Sequence, residues 1–292
     1  MPRSSVLALL LPLLVACGEK FTAAETGGSG GASAAGGSGG APGGGGSASG
    51  GVGGGAGSVA TGGAPATCHG LKFDGVNDLV SVLDDPALDG IAPMTVEAWI
   101  RAEAYPGEVQ ILSHHNHNTH TGYVLLVFDN STAQFRYQFD GSNHPVGGAV
   151  VSAQKWHHIA ATYDSASGLV QLFVDGALGA SDTIPKGKAS DDADPLVIGR
   201  AAYEDNFAFQ GVIDEVRISK SVRYTGAFTP SKTPFVVDGQ TVALWHFEEP
   251  GGQLVNDETG KHDGALGKDT SLADDDPARV EIPCLDQLVL GG

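Results

Sequence analysis

Two alternating segments joined by a polar turn constrain the fold of this chain most strongly. They span residues 156–164 (WHHIAATYD) and 169–176 (LVQLFVDG). From Val170 to Val174 every second residue is aliphatic, a period of two that places one set of side chains on each face of a strand. Ser and Gly between the segments favour a tight turn, and the first segment has apolar or small residues on both faces. The pattern predicts a β-hairpin whose first strand is covered on both sides.

Short apolar segments separated by turn residues recur through the chain at regular spacing, and helical periodicity is almost absent. The 292 residues provide room for one all-β sandwich and processing segments. The predicted strands, besides the hairpin, are residues 71–73, 78–82, 94–100, 109–113, 123–128, 135–139, 149–152, 196–199, 211–219 and 242–248.

The hairpin carries a motif of several coinciding positions: Trp156, then His158 and three small or apolar residues, Thr-Tyr-Asp at 162–164, and Val-Asp-Gly at 174–176. It resembles the central hairpin of laminin G-like domains in the concanavalin A-like lectin/glucanase superfamily. The resemblance implies a jelly-roll β-sandwich over residues 67–230 and a C-terminal extension, residues 231–292, that packs on it.

The N-terminus contains an apolar run, residues 6–16, too short to span a bilayer but typical in length of a signal peptide. Its end, Leu-Val-Ala-Cys at 14–17, resembles the lipobox of bacterial lipoproteins. This implies a signal peptide at residues 1–16 and a mature chain that begins at lipidated Cys17; an ordinary secretory signal is the alternative. Gly18 rather than Asp follows, which by the same resemblance implies sorting to the outer membrane if the cell has two membranes. The predicted location is therefore the bacterial cell envelope, at the outer membrane or cell surface, with the N-terminal lipid as the only membrane contact.

Residues 17–66 consist mostly of Gly, Ser and Ala. Such a composition cannot bury a core, so it predicts a disordered linker that tethers the domain. In an exported protein the two remaining cysteines, Cys68 and Cys284, are expected to form a disulfide. Closing so long a loop would contribute about 4 to 5 kcal/mol in the chain-entropy model.

Composition and motifs argue against two function classes. Sixteen basic against thirty-four acidic residues give a net charge of −18, which repels nucleic acid. The chain lacks the paired glutamates on one strand that retaining glucanases of this fold use. Glu204 and Asp205 fall in a predicted loop, and the adjacent Asp214 and Glu215 are expected to point to opposite faces. We therefore predict a non-enzyme, with a divergent polysaccharide hydrolase or lyase as the least favoured alternative.

Metal binding has two candidate locations. Residues 211–218 resemble the closing strand of the superfamily, which implies a structural Ca²⁺ at Asp214 with Asp74 nearby; the alternative is that Asp214 hydrogen-bonds a facing loop without metal. Residues 113–120 hold four histidines that could converge on Zn²⁺, Cu²⁺ or Ni²⁺. A variable exposed loop is the alternative for these four residues, His114, His115, His117 and His120.

Lectin relatives bind sugars in loops at one end of the jelly roll, and such sites need an aromatic platform beside polar groups. The predicted ligand-binding residues are Tyr105, Asn143, His144, Tyr203, Asp205, Asn206 and Phe207. The resulting hypothesis is a surface-anchored, non-catalytic module for carbohydrate or an extracellular protein. A structural or assembly lipoprotein of the envelope is the alternative, and the sequence leaves the ligand's identity open.

Overall fold

The computed structural model describes residues 67–116, 118–190, 194–203 and 206–290. The predicted signal peptide, the lipidation site Cys17 and the linker at residues 17–66 lie outside this range, as do His117 and Asp205. No helix among the described residues is long and apolar enough to cross a membrane.

Sixteen strands and one short 3₁₀ helix, η1, make up the described fold, which confirms the predicted all-β class. In chain order they are β1 (Thr67–Asp74), β2 (Val80–Val82), β3 (Met94–Ala104), β4 (Val109–Asn116), β5 (Thr121–Val127), β6 (Thr132–Phe139), β7 (Ser142–Val150), β8 (His157–Asp164), β9 (Leu169–Val174), β10 (Ala177–Thr183), β11 (Leu196–Ile198), β12 (Gln210–Ser219), β13 (Thr241–Trp245), β14 (Leu254–Val255), β15 (Gly264–Leu266), β16 (Ala278–Pro283) and η1 (Leu285–Gln287).

The strands form two antiparallel sheets packed face to face. The first sheet has the order β10-β9-β8-β3-β12-β1-β16, with β13 also paired to β12; the second has the order β14-β15-β2-β11-β4-β5-β6-β7. The predicted hairpin is β8 and β9, paired from Ile159 opposite Val174 to Asp164 opposite Leu169. Seven of the eight residues of β8 are buried, as expected for a strand covered on both faces.

Alternation along the strands explains where the main core lies. On β3, Val96, Ala98 and Ile100 point between the sheets and join the core, whereas Trp99 points to the other side. The same alternation on β5 and β6 sends Tyr123 and Tyr137 inward. The interior between the sheets is therefore filled by one face of each strand.

A second apolar cluster covers the outer face of the first sheet, which we call the covered face. Trp99 and Trp156 lie there under residues from the C-terminal part of the chain, including Phe235, Ile282 and Leu288. A disulfide joins Cys68 to Cys284, as predicted. Residues 231–292, expected as an extension packed on the sandwich, contribute β13 and β16 to the first sheet and β14 and β15 to the second.

The polar groups of the covered face bind one another. Glu97 Oε1 accepts from Arg217 Nε (2.9 Å), and Glu97 Oε2 faces His158 Nε2 (3.2 Å) and accepts from Tyr224 Oη (2.7 Å). Burial by itself would raise the pKa of Glu97, but the hydrogen bond and charge of His158, followed by Arg217 and Tyr224, hold it below its usual value. This network is structural, because Glu97 and His158 are fully buried.

Two of the boundaries that differ from the sequence prediction involve candidate site residues. β7 runs over Ser142–Val150 rather than residues 149–152, because it is an edge strand that tolerates Pro145 and two glycines. β4 continues to Asn116, so His114 and His115 lie in a strand and not in an exposed loop.

Candidate functional site

A row of small side chains crosses the outer face of the second sheet, and two of its members, Ser81 and Val197, form the floor of a cleft. On β2 and β11, Val80, Val82, Leu196 and Ile198 point into the core, so the residues between them point outward. Strand register then aligns these outward positions from strand to strand. The row consists of Ala265, Ser81, Val197 and Ser113. Small residues in a row leave space above the sheet for a ligand.

Larger side chains stand around this floor. Arg200, Tyr203 and Lys268 line a cleft of about 430 Å³ together with Ser81 and Val197. We call this space the cleft. It combines one aromatic ring, two cations and a hydroxyl, which is a donor set that can hold a polar ligand in a fixed orientation.

The two cations occupy equivalent local positions, each directly after a glycine in the left-handed region. Gly199 has φ of +90° and precedes Arg200; Gly267 has φ of +70° and precedes Lys268. A Cβ on Gly199 would lie 2.2 Å from the Phe73 ring. The turn that brings Arg200 to the cleft therefore requires glycine.

Tyr203 is held by contacts on both sides of its loop. Its ring meets the His115 ring edge to face, with centroids 5.0 Å apart, and lies 6.5 Å from Phe207. The Ala202 amide donates to Ser113 Oγ (3.1 Å), and the Gln110 amide donates to the Phe207 carbonyl (2.9 Å). These bonds attach the loop between β11 and β12 to β4 and fix the position of the aromatic ring.

A second hollow of about 430 Å³ shares Arg200 and Lys268 with the cleft and adds Asn77, Asp269 and Asp275. The Lys268 amide donates to Asp275 Oδ2 (3.2 Å). Carboxylates, an amide and cations side by side can both accept and donate hydrogen bonds, as a ligand rich in hydroxyl groups requires.

A buried carboxyl group lies beside this hollow. Asp78 is 6% exposed and accepts a hydrogen bond from the Asp74 amide (2.7 Å). Burial raises the pKa of Asp78 to about 6; the Asp74 amide opposes this, and the charges of Asp74, Asp276 and Asp275 add to it. No cation compensates Asp78 among these causes, in contrast to Glu97 on the covered face.

The predicted ligand-binding residues fall into three places. Tyr203, Asn206 and Phe207 belong to the loop between β11 and β12, and Tyr203 lines the cleft. Asn143 and His144 lie on β7, three strands beyond β4 and roughly 14 Å away. Tyr105 belongs to the main core. The structure therefore does not bring these residues together in one site.

The two aspartates predicted to share Ca²⁺ lie apart. Asp74 pairs with Gln210, whereas Asp214 follows Ile213, which pairs with Leu71. Along the paired strands β1 and β12, Asp74 and Asp214 are therefore four residues apart, which is roughly 13 Å of extended strand. Near Asp214, Glu215 Oε1 bonds His246 and Glu215 Oε2 accepts from the Phe235 amide, so these oxygens are engaged. The arrangement does not fit the six to eight oxygens of a Ca²⁺ site.

The prediction that Asp214 and Glu215 point to opposite faces of the strand is wrong, because both side chains line the same hollow. A bulge between Asp214 and Arg217, with Glu215 at φ of +52°, lets both line one hollow of about 300 Å³ beside the disulfide. Burial, followed by the charge of Glu215, raises the pKa of Asp214 well above its usual value.

The predicted histidine cluster divides between two faces of β4. His115 contacts Tyr203, whereas His114 Nε2 lies 2.9 Å from Asp89 Oδ1 on the other face. Ligand atoms of Asp84, Asp89 and His114 all lie within 4.8 Å of one another, so this group could hold a metal ion. Of the two remaining histidines, His117 lies outside the described residues, and His120 follows β4 in the turn before β5. Sequence reasoning found His114 but neither aspartate.

Comparisons with known proteins agree with this architecture. Residues 74–226, more than half of the chain, match a laminin G model of the concanavalin A-like lectin/glucanases superfamily. A search of curated proteins found no match. Among solved structures, a "putative carbohydrate binding protein" from Bacteroides ovatus ATCC 8483 is similar with a TM-score of 0.56 and 20% identity. The alignment covers 72% of this chain and 61% of that one, less than two thirds of its length.

Two further solved structures match with lower TM-scores. The CBM40 of the Ruminococcus gnavus IT-sialidase, bound to α2,3 sialyllactose, has a TM-score of 0.46 and 14% identity, covering 55% of this chain and 94% of that one. Domains LG4-5 of the mouse laminin α1 chain have a TM-score of 0.42 and 15% identity, covering 56% and 45%.

Proposed function

The chain belongs to the concanavalin A-like lectin/glucanases superfamily, and on that premise we propose that it is a non-catalytic module that binds carbohydrate in the cleft. The observation that carries this proposal is the placement of Tyr203 beside Arg200 and Lys268, above a floor of small residues. The description of the Bacteroides ovatus structure agrees with the proposal.

Each part of the cleft suits one part of a sugar ring. An aromatic ring such as Tyr203 offers a flat apolar surface to the C–H face of a pyranose. Arg200, Lys268 and Ser81 donate hydrogen bonds to hydroxyl oxygens, and Asp269 and Asp275 in the adjoining hollow accept hydrogen bonds from hydroxyl groups. The row of small residues lets the ligand approach the sheet.

The acidic groups support binding better than catalysis. Glycoside hydrolysis needs a carboxylic acid and a carboxylate on either side of the bond. In the hollow that holds Asp214, both Glu215 oxygens are engaged by His246 and Phe235. Glu97, whose pKa is lowered beside His158, is fully buried and has no path to substrate.

A glycan array probed with the wild-type chain and the Tyr203→Ala variant tests the proposal. We expect a consistent set of glycans to bind the wild type, and binding to fall at least tenfold in Tyr203→Ala, which is about 1.4 kcal/mol. His144→Ala is the matched control, because His144 lies on β7, away from the cleft. A pull-down from envelope and matrix extracts distinguishes the alternatives: a protein partner in fixed ratio, without glycan binding, would favour an assembly role and contradict the proposal.

Surface display is the second part of the proposal. It is supported by the Leu-Val-Ala-Cys segment at residues 14–17 and by the Gly-rich composition of residues 17–66. The lipid on Cys17 would anchor the domain, and the linker would hold the cleft away from the membrane. Metabolic labelling with a fatty acid in a bacterial host should mark the wild type and not Cys17→Ser. Labelling of both would contradict anchoring through Cys17.

A further inference from the structure

The group formed by Asp84, Asp89 and His114 lies on the face of β4 opposite to the side chain that supports Tyr203. We propose that these three residues bind a divalent transition metal with the chemistry of Zn²⁺. The site is separate from the carbohydrate cleft, and it does not depend on the proposed function.

The donor set is the first argument. It offers one imidazole nitrogen and two carboxylates, whose ligand atoms all lie within 4.8 Å of one another. Zinc accepts three such protein ligands and fills its fourth position with water. A tetrahedral ion with bonds of about 2.0 to 2.1 Å holds its ligand atoms roughly 3.3 Å apart. His114 Nε2 and Asp89 Oδ1, at 2.9 Å, would need to separate by only a few tenths of an ångström.

The imidazole is already aimed at the carboxylate of Asp89. His114 is 1% exposed, and its Nε2 is directed at Asp89. Within the described part of the chain, its other nitrogen, Nδ1, has no hydrogen-bond partner. Its ring packs edge to face with the buried Tyr123, with centroids 5.4 Å apart. The ring is thus fixed by packing, and its one hydrogen bond points into the group.

The loop that supplies the aspartates is held in place by buried tyrosines. Tyr123 Oη donates to the Leu88 carbonyl (3.1 Å), directly before Asp89, and Tyr137 Oη donates to the Ile91 carbonyl (2.9 Å). A preorganised loop loses little conformational freedom when a metal binds. Asp84 is exposed, which leaves a path by which an ion can enter.

The same donors select against calcium. Ca²⁺ prefers six to eight oxygen ligands, whereas imidazole nitrogen suits Zn²⁺, Cu²⁺ and Ni²⁺. We therefore expect Zn²⁺ to bind at concentrations at which Ca²⁺ does not.

Isothermal titration of the chelator-treated full chain with zinc chloride, and separately with calcium chloride, tests the proposal. The protein used for the titration carries the substitution Cys17→Ser, which removes a competing thiol, and it has no histidine tag. We expect one Zn²⁺ per chain, a higher thermal midpoint with Zn²⁺, and at least tenfold weaker binding in Asp84→Asn. Asp129→Asn, which changes an exposed turn residue, is the matched control and should bind as the wild type does.

Three results would overturn the proposal. They are the absence of Zn²⁺ binding, equal binding of Ca²⁺ and Zn²⁺, and unchanged Zn²⁺ affinity in Asp84→Asn, which would place the ion elsewhere. Asp84 is exposed, so its substitution keeps the test valid even if the buried His114→Asn variant fails to fold. If His114→Asn folds, it should lose binding at least as strongly.

Discussion

The covered face and the cleft both hold charged groups on the outer side of a sheet. The covered face is packed under residues from the C-terminal part of the chain, whereas the cleft has open space beside its charged groups. On the covered face, Glu97 binds Arg217, His158 and Tyr224, and these partners lower its pKa despite burial. Beside the hollow that adjoins the cleft, burial and neighbouring carboxylates raise the pKa of Asp78. The first sheet uses polar groups to hold a covering segment, whereas the second leaves Tyr203, Arg200 and Lys268 around an open space. The network of Glu97 stabilises the fold, and the side chains that line the cleft are placed where they can contact a ligand.

The largest expected effect comes from breaking the network of the covered face. Glu97→Ala would leave Arg217 and His158 buried without their carboxylate, which should lower the free energy of unfolding by about 3 to 5 kcal/mol. Urea unfolding measures this loss. Glu281→Ala, on the exposed side of β16, is the control and should cost less than about 0.5 kcal/mol. A loss below about 1 kcal/mol in Glu97→Ala would show that the network is not structural.

The disulfide attaches the C-terminal segment that packs on the covered face to strand β1. Its two cysteines are 216 residues apart, so the double variant Cys68→Ser, Cys284→Ser should lose about 2 to 5 kcal/mol. Glycan binding at 25 °C should remain, because the cleft lies on the other sheet. Equal unfolding midpoints of the wild type with and without reductant would contradict the stability effect.

The smallest effect concerns Asp78 and depends on pH. Because its folded pKa is raised to about 6, the folded state binds more protons, and this contribution to stability is complete below about pH 4 and disappears as the pH rises through about 6. Asp78→Asn keeps an acceptor for the Asp74 amide and removes the charge. Its stability relative to the wild type should increase between pH 4 and 7, by an amount on the order of 1 kcal/mol. A difference that is independent of pH would contradict the raised pKa.

Most of the strands could be predicted from local sequence patterns. The β8–β9 hairpin was predictable because alternation and turn residues are read within twenty neighbouring positions. The extent of β7 was not predictable, because Pro145 and the two glycines after it are rare in strands other than edge strands. The short β14 and β15 owe their existence to pairing with β2, which is distant in sequence.

The site was less accessible to sequence reasoning. Tyr203 was predicted as a loop aromatic, but Ser81, Arg200 and Lys268 meet it only through the register of β2, β11 and β15. One signal could have pointed to the two cations: each follows a glycine at the end of a short apolar segment. In the same way, Asp84 and Asp89 reach His114 through a loop fixed by core tyrosines, which no local pattern reveals.

The position of a bound sugar tests the central claim most directly. Crystals of the wild-type chain soaked with the strongest glycan from the array should show a pyranose ring stacked on Tyr203, with hydroxyl groups hydrogen-bonded to Arg200 or Lys268. A sugar bound instead at the β7 edge beside Asn143 and His144, or against the covered face, would contradict the assignment of the cleft as the carbohydrate site.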